Sequence, residues 1–273
     1  MNQYKEIAEK IKNADALLIG ASNGLSITEG LHLFADNQAF EELFGDLKRK
    51  YGIRNILQAV FTNWPTEEEK WGVLSRLIQH YSGEYQETEV MADLKSIVGD
   101  KPYFVVTSNA EGHFELSGFE SDKVYEVEGN WLEMRCSRLC HDTMYPALEA
   151  IQKMAAAETD GKIPSELIPR CPKCGAVMTM YNAEPLKPGM EQAWHQFLEA
   201  YHNKNLVILE LGIGWRNQLI KAPLMGLAER EPNAVYITIN LGEIYIADSI
   251  VNKSYGLDGY LSDILRDIKK EME

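Results

Sequence analysis

The sequence has no long hydrophobic run, and it has only four cysteines in 273 residues. No stretch approaches the roughly 18 consecutive apolar residues that a membrane-spanning helix needs. The first residues, MNQYKEIAEKIKN, are polar and helix-periodic, without the apolar centre of a secretion signal. We therefore expect a cytoplasmic protein, whose thiols bind metal or stay free because that compartment is reducing.

Basic side chains are also in short supply. The 27 Lys and Arg residues stand against 41 Asp and Glu residues, which gives a formal net charge of −14. A field of that sign repels phosphate backbones and anionic lipid surfaces, so we expect neither nucleic acid nor membrane as a partner. Hydrophobic residues at 45% and charged residues at 25% fit a globular protein with one large domain or two unequal ones.

Short apolar runs that end at glycine or small polar residues predict the strands of a mostly parallel sheet. These runs are residues 16–20, 103–106, 124–127, 206–211 and 234–240. Most of the segments between them are helical in character, including residues 34–98. Sheets of this class bind ligands beyond the carboxyl ends of their strands. Gly20, Asn109, Gly212 and Asn240 would share that edge, which predicts a single site.

The four cysteines form two close pairs. Cys136 and Cys140 are separated by three residues, and Cys171 and Cys174 belong to a Cys-Pro-Lys-Cys-Gly turn. This spacing predicts a tetrahedral Zn²⁺ site, and four thiolates leave no open position for catalysis. Four free thiols, or a redox pair at Cys171 and Cys174, are the alternatives, and His141 could compete as a ligand.

A glycine-bearing turn, residues 20–26, follows the first predicted strand. Small residues there would let the backbone approach a pyrophosphate at a helix N-terminus, although ordinary turn chemistry is an equally good explanation. Ser26 with Glu29, and Thr66 with Glu69, have the spacing of capping boxes, which predicts that helices begin at these positions.

Several segments together resemble the sirtuin family. Residues 107–111, Thr-Ser-Asn-Ala-Glu, are similar to the family's Thr-Gln-Asn-Ile-Asp motif, and residues 22–26, Ser-Asn-Gly-Leu-Ser, resemble its Gly-Ala-Gly-x-Ser loop. Glu128-Gly129 stands where sirtuins have their catalytic His-Gly. The cysteine module follows in the family's order, and Ile239-Asn240 resembles its late adenosine-side strand end.

The resemblance is strongest to the macrodomain-linked branch of microbial sirtuins. That branch has Gln-Phe where other sirtuins have Leu-His, and here the pair is His113-Phe114. Residues 209–214, 44–47 and 50–53 also resemble it. Its members are ADP-ribosyltransferases of a lipoyl carrier related to the glycine-cleavage H protein. The resemblance thus implies NAD as co-substrate, such a carrier as acceptor and a macrodomain hydrolase as a candidate partner.

The family's fold is an α/β, Rossmann-like domain with a small domain made of a zinc ribbon and inserted helices. The resemblance assigns residues 1–33, 99–130 and 182–273 to the Rossmann-like domain. Residues 34–98 would form the helical module and residues 131–181 the zinc ribbon. The cleft between the two domains would hold NAD. The expected cofactor-binding residues are Ala21, Ser22, Asn23, Gly24, Ser26, Asn109, Glu111, Gly212, Gly214 and Asn240.

Asn109, Glu111 and Glu128 are the expected catalytic residues. In sirtuin deacylases a neutral His deprotonates the ribose, and Glu128 takes its place here. A carboxylate with an ordinary pKa of roughly 4.3 is a weaker base near neutral pH, but its charge favours an oxocarbenium-like transition state. Glu111 is one methylene longer than the family's Asp, which grips the nicotinamide carboxamide, whereas Asn109 keeps the family's identity.

These departures favour ADP-ribosyl transfer or NAD hydrolysis over deacylation. A deacylase remains the second hypothesis. A degenerate module that binds NAD or ADP-ribose without turnover is the third, because Ser22, Asn23, Glu111 and Glu128 all differ from the family's pattern. Arg216, after the Gly212-Ile213-Gly214 turn, is a candidate phosphate ligand.

Overall fold

The computed structural model describes residues 3–180, 185 and 187–273. The strands are β1 Ala16–Ala21, β2 Tyr103–Thr107, β3 Val124–Glu126, β4 Glu133–Cys136, β5 Tyr145–Pro146, β6 Met178–Thr179, β7 Leu206–Leu211, β8 Val235–Asn240 and β9 Ser254–Asp258. The α-helices are α1 Gln3–Lys12, α2 Asn23–Thr28, α3 Gln38–Tyr51, α4 Ile56–Phe61, α5 Glu67–Ile78, α6 Glu89–Val98, α7 His113–Leu116, α8 Leu148–Ala157, α9 Met190–Ala200, α10 Gln218–Arg230 and α11 Leu261–Met272. Among these residues, no helix has both the length and the apolar character needed to cross a bilayer.

The main sheet has six strands in the order β3-β2-β1-β7-β8-β9, and every neighbouring pair is parallel. This is the strand order of a Rossmann-like sheet, so the predicted fold class is confirmed. The chain leaves β1 towards β2 on one side and later returns to β7 on the other. The carboxyl ends of β1 and β7 therefore flank the switch point, where such sheets bind dinucleotides.

The alternating side chains of β1 show why the strand is apolar throughout. Leu17 and Ile19 join a core with α1, α6 and α11, whereas Ala16 and Leu18 join a core with α9 and α10. Both faces of the sheet are covered by helices, and all six residues of β1 are buried. A buried parallel strand has no polar face, which explains the continuous apolar runs in the sequence.

A second layer lies beside the carboxyl edge of the sheet. Its core joins buried side chains of α3, α4, α5 and α8 with Trp131 and Met180. A three-stranded antiparallel sheet has the order β5-β4-β6, with Cys136 at the end of β4 and the other cysteines in the segments that connect its strands. Side-chain caps at Asn37, Thr66 and Thr88 accept hydrogen bonds from the first turns of α3, α5 and α6. The helix start predicted at Thr66 is thus confirmed, because its hydroxyl caps the N–H of Glu69. The Glu69 carboxylate accepts from the Thr66 hydroxyl, so the described contacts contain one half of the predicted capping box.

Helix α6 lies within the predicted helical module, residues 34–98, but it does not pack with the other helices of that module. Its buried residues Val90, Met91 and Leu94 belong to the core of the main sheet, and the helix packs against α11. We therefore propose that the boundary between the two domains lies before α6 and not at residue 98. The boundary at 181/182 lies outside the described residues.

Candidate functional site

The carboxyl edge of the main sheet brings the candidate residues together. Ala21 ends β1, Asn240 ends β8, and Gly212 directly follows β7. Asn109 follows β2 by two residues and Glu128 follows β3 by two. Two adjoining cavities open at this edge, and Asn23 and Phe34 line both of them.

The second cavity has a volume of about 590 Å³ and lies over the switch point. Six of the expected cofactor residues line it: Ser22, Asn23, Gly24, Gly212, Gly214 and Asn240. Arg216 and Asn217 also line it. Arg216 is the cation among the described lining residues, which also include the carboxylate of Glu243. It is therefore the side chain that could neutralise an anionic ligand.

Gly24 and Gly212 serve backbone packing. A Cβ added to Gly24 would lie 2.4 Å from the Gly212 Cα, and Gly212 has a φ of +61°. The N–H of Gly24 donates to the Gly212 carbonyl over 2.9 Å. These glycines let the β1 and β7 turns touch. Their expected approach to a pyrophosphate stays a prediction.

The helix after β1 begins earlier than predicted. Its N-cap is Ser22, and Ser26 lies inside α2, so the capping box at Ser26 and Glu29 was wrong. Ser26 instead donates a 2.5 Å hydrogen bond to Oε1 of Glu111. Ser26 and Ala21 line neither cavity, and their expected contact with the cofactor stays a prediction.

Three side chains hold the β1 turn against its neighbours. Nδ2 of Asn217 donates to Oγ of Ser22 over 2.8 Å and to Oγ of Ser108 over 2.9 Å, and the Ser108 hydroxyl donates to Ser22 over 3.0 Å. Sequence reasoning missed Asn217, since it lies 195 positions from Ser22 and has no local motif. The side chain of Ser22, at a position where the family has Gly, thus takes part in a hydrogen-bond network.

The first cavity has a volume of about 230 Å³ and unites the three expected catalytic residues, Asn109, Glu111 and Glu128. The opposite wall is apolar and comes from the helical layer: Leu33, Phe34, Leu57, Val60, Phe61 and Trp131. A cavity with an apolar wall and a few convergent polar groups is typical of sites for small organic ligands.

Two polar atoms at the first cavity are buried without a protein partner. Asn109 is 6% exposed, and its Oδ1 has no hydrogen bond among the described residues, although its Nδ2 donates to the Ser22 carbonyl. Nε1 of Trp131 is likewise without a partner there. A buried acceptor and a buried donor match a ligand that carries both, as a carboxamide or a ribose does. The residues present therefore fit a nicotinamide riboside group.

The two carboxyl groups at this cavity lie in different surroundings. Glu111 is 3% exposed, and burial raises its pKa, against the opposing effects of His113 and Ser26. Burial also raises the pKa of Glu128, which is half-buried and faces the cavity. A raised pKa makes a carboxylate a better proton acceptor than an exposed one.

Behind Glu111 lies His113, which is 4% exposed. Its Nδ1 lies 2.9 Å from Oε2 of Glu29, its Nε2 lies 2.7 Å from the Tyr81 carbonyl, and its ring stacks on Tyr85. The sequence offered no partner for His113, because Glu29 is 84 positions away.

The four cysteine sulfurs meet at one point. Sγ atoms of Cys136 and Cys174 are 3.5 Å apart, those of Cys140 and Cys171 are 3.6 Å apart, and all four lie within 4.8 Å of one another. Tetrahedral zinc, with Zn–S bonds of about 2.3 Å, sets sulfurs about 3.8 Å apart, so the cluster fits Zn²⁺. His141 lies 3.5 Å from Cys171 but outside this set. Such a site is closed and structural.

Comparison with known proteins gives three relatives and one fold. A protein ADP-ribosyltransferase of Staphylococcus aureus is 30% identical, over 96% of this chain and 86% of that protein. A probable bifunctional ADP-ribose hydrolase/ADP-ribosyltransferase of Fusarium oxysporum f. sp. cubense is 30% identical over 76% of this chain, which matches 36% of that protein. An NAD-dependent protein deacylase of Aeropyrum pernix is 30% identical over 50% of this chain and 47% of that protein.

No family model matches the sequence. A solved Sir2 enzyme has the same fold, with a TM-score of 0.59 at 16% identity, over 100% of this chain and 97% of that one. Together with the relative that matches nearly end to end, the strand order and the cysteine cluster, this likeness identifies the protein. The chain belongs to the sirtuin family of NAD-dependent enzymes.

Proposed function

We propose that this protein transfers ADP-ribose from NAD to a protein acceptor and releases nicotinamide. One observation carries the proposal. The side chain that follows β3 in the first cavity, beside Asn109 and Glu111, is the carboxylate of Glu128. No histidine is found among the described residues that line this cavity. Sirtuin deacylases use a neutral imidazole there, whereas a negative charge near the sugar favours the oxocarbenium-like transition state of transfer.

The proposed reaction breaks the bond between C1′ of the ribose and the nicotinamide nitrogen. Nicotinamide leaves with the electron pair, and a nucleophile of the acceptor forms the new bond to C1′ while it loses a proton. In this proposal Asn109 and Glu111 hold the carboxamide and ribose. Glu128 stabilises the developing positive charge and takes the acceptor's proton.

The apolar wall of the first cavity supports a proposal about the acceptor. Leu33, Leu57 and Val60 would suit an aliphatic arm, such as the lipoyl-lysine of a glycine-cleavage H-like carrier. The name of the Fusarium relative joins ADP-ribosyl transfer with ADP-ribose hydrolysis. We therefore propose a macrodomain-type hydrolase as the partner that removes the modification. We also propose that the protein acts in the cytoplasm.

A deacylase is the second candidate, and the similarity to the Aeropyrum deacylase over half of the chain favours it. The two candidates differ in what they consume besides NAD. A transferase labels an acceptor that has no acyl group, whereas a deacylase releases the acyl group of an acyl-lysine peptide.

The first experiment incubates the zinc-loaded protein with NAD and either a lipoylated carrier or an acyl-lysine peptide. Nicotinamide is measured by chromatography, and the proteins by intact mass. We expect nicotinamide release with an added ADP-ribose on the carrier. Free ADP-ribose without any adduct would make the protein a hydrolase, and deacylated peptide would make it a deacylase. NAD binding without nicotinamide release would make it a binding module.

The second experiment replaces Glu128 with Gln, which keeps the shape of the side chain but removes its charge. We expect transfer to fall about 100-fold, at the lower end of acid–base effects, while NAD affinity changes little. The exposed Glu229, changed to Gln, is the matched control. The activity of the wild type should be lost as the pH falls and Glu128 takes up a proton. Because the pKa of Glu128 is raised, this loss should begin at a higher pH than it would for an exposed carboxylate. Higher activity in the Gln variant would contradict the role of the charge.

A further inference from the structure

The side chain of His113 is bound at both ring nitrogens. Nε2 faces the carbonyl oxygen of Tyr81, which can only accept, and therefore Nε2 carries a proton. Nδ1 faces Oε2 of Glu29. Oε1 of the same carboxyl accepts hydrogen bonds from the hydroxyls of Tyr85 and Thr88, each over 2.8 Å.

These contacts favour an ion pair between the two side chains. A carboxyl group that accepts from two hydroxyls and faces a third polar atom is best satisfied as a carboxylate, and the imidazole beside it is then doubly protonated. The pair is buried, since the His113 side chain is 4% exposed and that of Glu29 is 0% exposed. Both ring nitrogens carry protons in this arrangement, so neither offers a lone pair to a metal ion.

The imidazolium lies close to two carboxylates. Glu29, Glu111 and His113 each place one oxygen or nitrogen atom within 4.8 Å of the others. Glu111 alone of the three lines the first cavity. Without positive charge close to them, the two buried carboxylates would repel, and one of them would take up a proton. The charge of His113 thus bears directly on the charge of Glu111.

We propose that His113 is a positioning residue, an imidazolium held by Glu29 and the Tyr81 carbonyl that keeps Glu111 ionised at the nicotinamide end of the cavity. This inference rests on the proposed function, in which Glu111 faces the positively charged nicotinamide ring of NAD. An ionised Glu111 attracts that ring, and a protonated one does not.

Other elements packed around His113 add few charges. Tyr85 stacks on its ring, and burial together with Glu29 raises the pKa of the Tyr85 hydroxyl to about 12, so it stays neutral. His80 lines the small cavity on the outer side of the ring and is half exposed. Lys95 of α6 donates to the Ser117 carbonyl at the end of α7 and pairs with Glu87 at the surface. Glu29 and Glu111 are therefore the groups that dominate.

The test compares two variants that should shift the pKa of Glu111 in opposite directions. His113→Gln keeps two hydrogen-bonding groups but removes the positive charge, which raises the pKa of Glu111. Glu29→Gln removes the neighbouring negative charge, which lowers it in the acid range, where His113 still carries both protons. NAD affinity is measured by calorimetry across the acid range. We expect the acid-side loss of affinity to move up by about one pH unit in His113→Gln and down in Glu29→Gln. The exposed His195, changed to Gln, should leave the profile unchanged.

A titration of the wild type needs no variant. In ¹⁵N-histidine spectra, His113 should remain doubly protonated above the pH at which a free imidazole loses its proton, roughly 6.5, and less so in Glu29→Gln. Parallel shifts in both variants, or no shift, would overturn the proposal, as would a neutral His113. If NAD binds but nicotinamide is not released, the proposed function fails, whereas the affinity profile and the spectra still decide the role of His113.

Discussion

The first and second cavities meet at Asn23 and Phe34, yet their walls are built differently. The second cavity stands on backbone packed against backbone, with Gly24 against Gly212, and its polar side chains bind one another. The first cavity keeps a buried acceptor on Asn109 without a partner and buries a carboxyl group whose pKa is raised. In the second cavity, the same contacts stabilise the fold and shape the site. The first cavity contains buried polar groups that destabilise the fold unless a ligand forms hydrogen bonds with them.

This difference shows how the departures from the sirtuin pattern should be interpreted. Ser22 lies at the second cavity, where its hydroxyl joins a network with Ser108 and Asn217 and leaves the backbone arrangement intact. Glu111 and Glu128 lie at the first cavity, where they determine the charge that faces the ligand. We infer that substitutions at the first cavity change the chemistry, while those at the second preserve the binding of the phosphates.

The largest effect is expected where the two turns touch. Gly24→Ala would place a Cβ 2.4 Å from the Cα of Gly212, and backbone on both sides cannot move away as a side chain can. We expect the free energy of unfolding to fall by about 3 kcal/mol, measured by urea denaturation. Gly214→Ala is the matched control in the neighbouring turn, because its Cβ would meet only the flexible carboxyl end of Glu243. Equal stability of the two variants would contradict the role of backbone packing.

The opposite pattern is expected at the first cavity. Asn109→Ala removes an acceptor that has no partner within the described structure, together with one hydrogen bond to the Ser22 carbonyl. The free energy of unfolding should change by about 1 kcal/mol or less, while NAD affinity falls about tenfold or more. Thermal unfolding with and without NAD measures both quantities. A variant that loses stability without losing affinity would show that Asn109 serves the fold.

The residues themselves predicted the main sheet and the edge that holds the site, because buried parallel strands are apolar throughout and end at small residues. Strand β9, Ser254–Asp258, was missed since it is not a continuous apolar run and contains Gly256 beneath Ile244. The cysteine cluster followed from spacing, which local chain geometry dictates. The helix start at Ser26 was wrong because α2 begins at Asn23, directly after β1, and the Ser26 hydroxyl binds Glu111 from within the helix.

Contacts between distant parts of the chain escaped prediction. The pairing of Glu29 with His113 joins the end of α2 to the start of α7, and Asn217 reaches Ser22 from α10. No periodicity or fixed spacing in the sequence indicates either contact, because tertiary packing alone brings the residues together. The helical character of residues 34–98 was visible, but its division between two cores depends on which side of the sheet α6 covers.

The smallest effect is expected at Arg216, the exposed cation of the second cavity. Its guanidinium faces solvent, and an exposed charge contributes little because water and salt screen it. Arg216→Ala should weaken NAD binding about threefold at low ionic strength and hardly at all at high ionic strength. Calorimetry at two salt concentrations checks this, with Arg49→Ala, a highly exposed change on α3, as the control. If NAD binding weakened strongly and independently of salt, Arg216 would be a desolvated phosphate ligand. The second cavity would then bind NAD through a specific side chain as well as through its packed backbone.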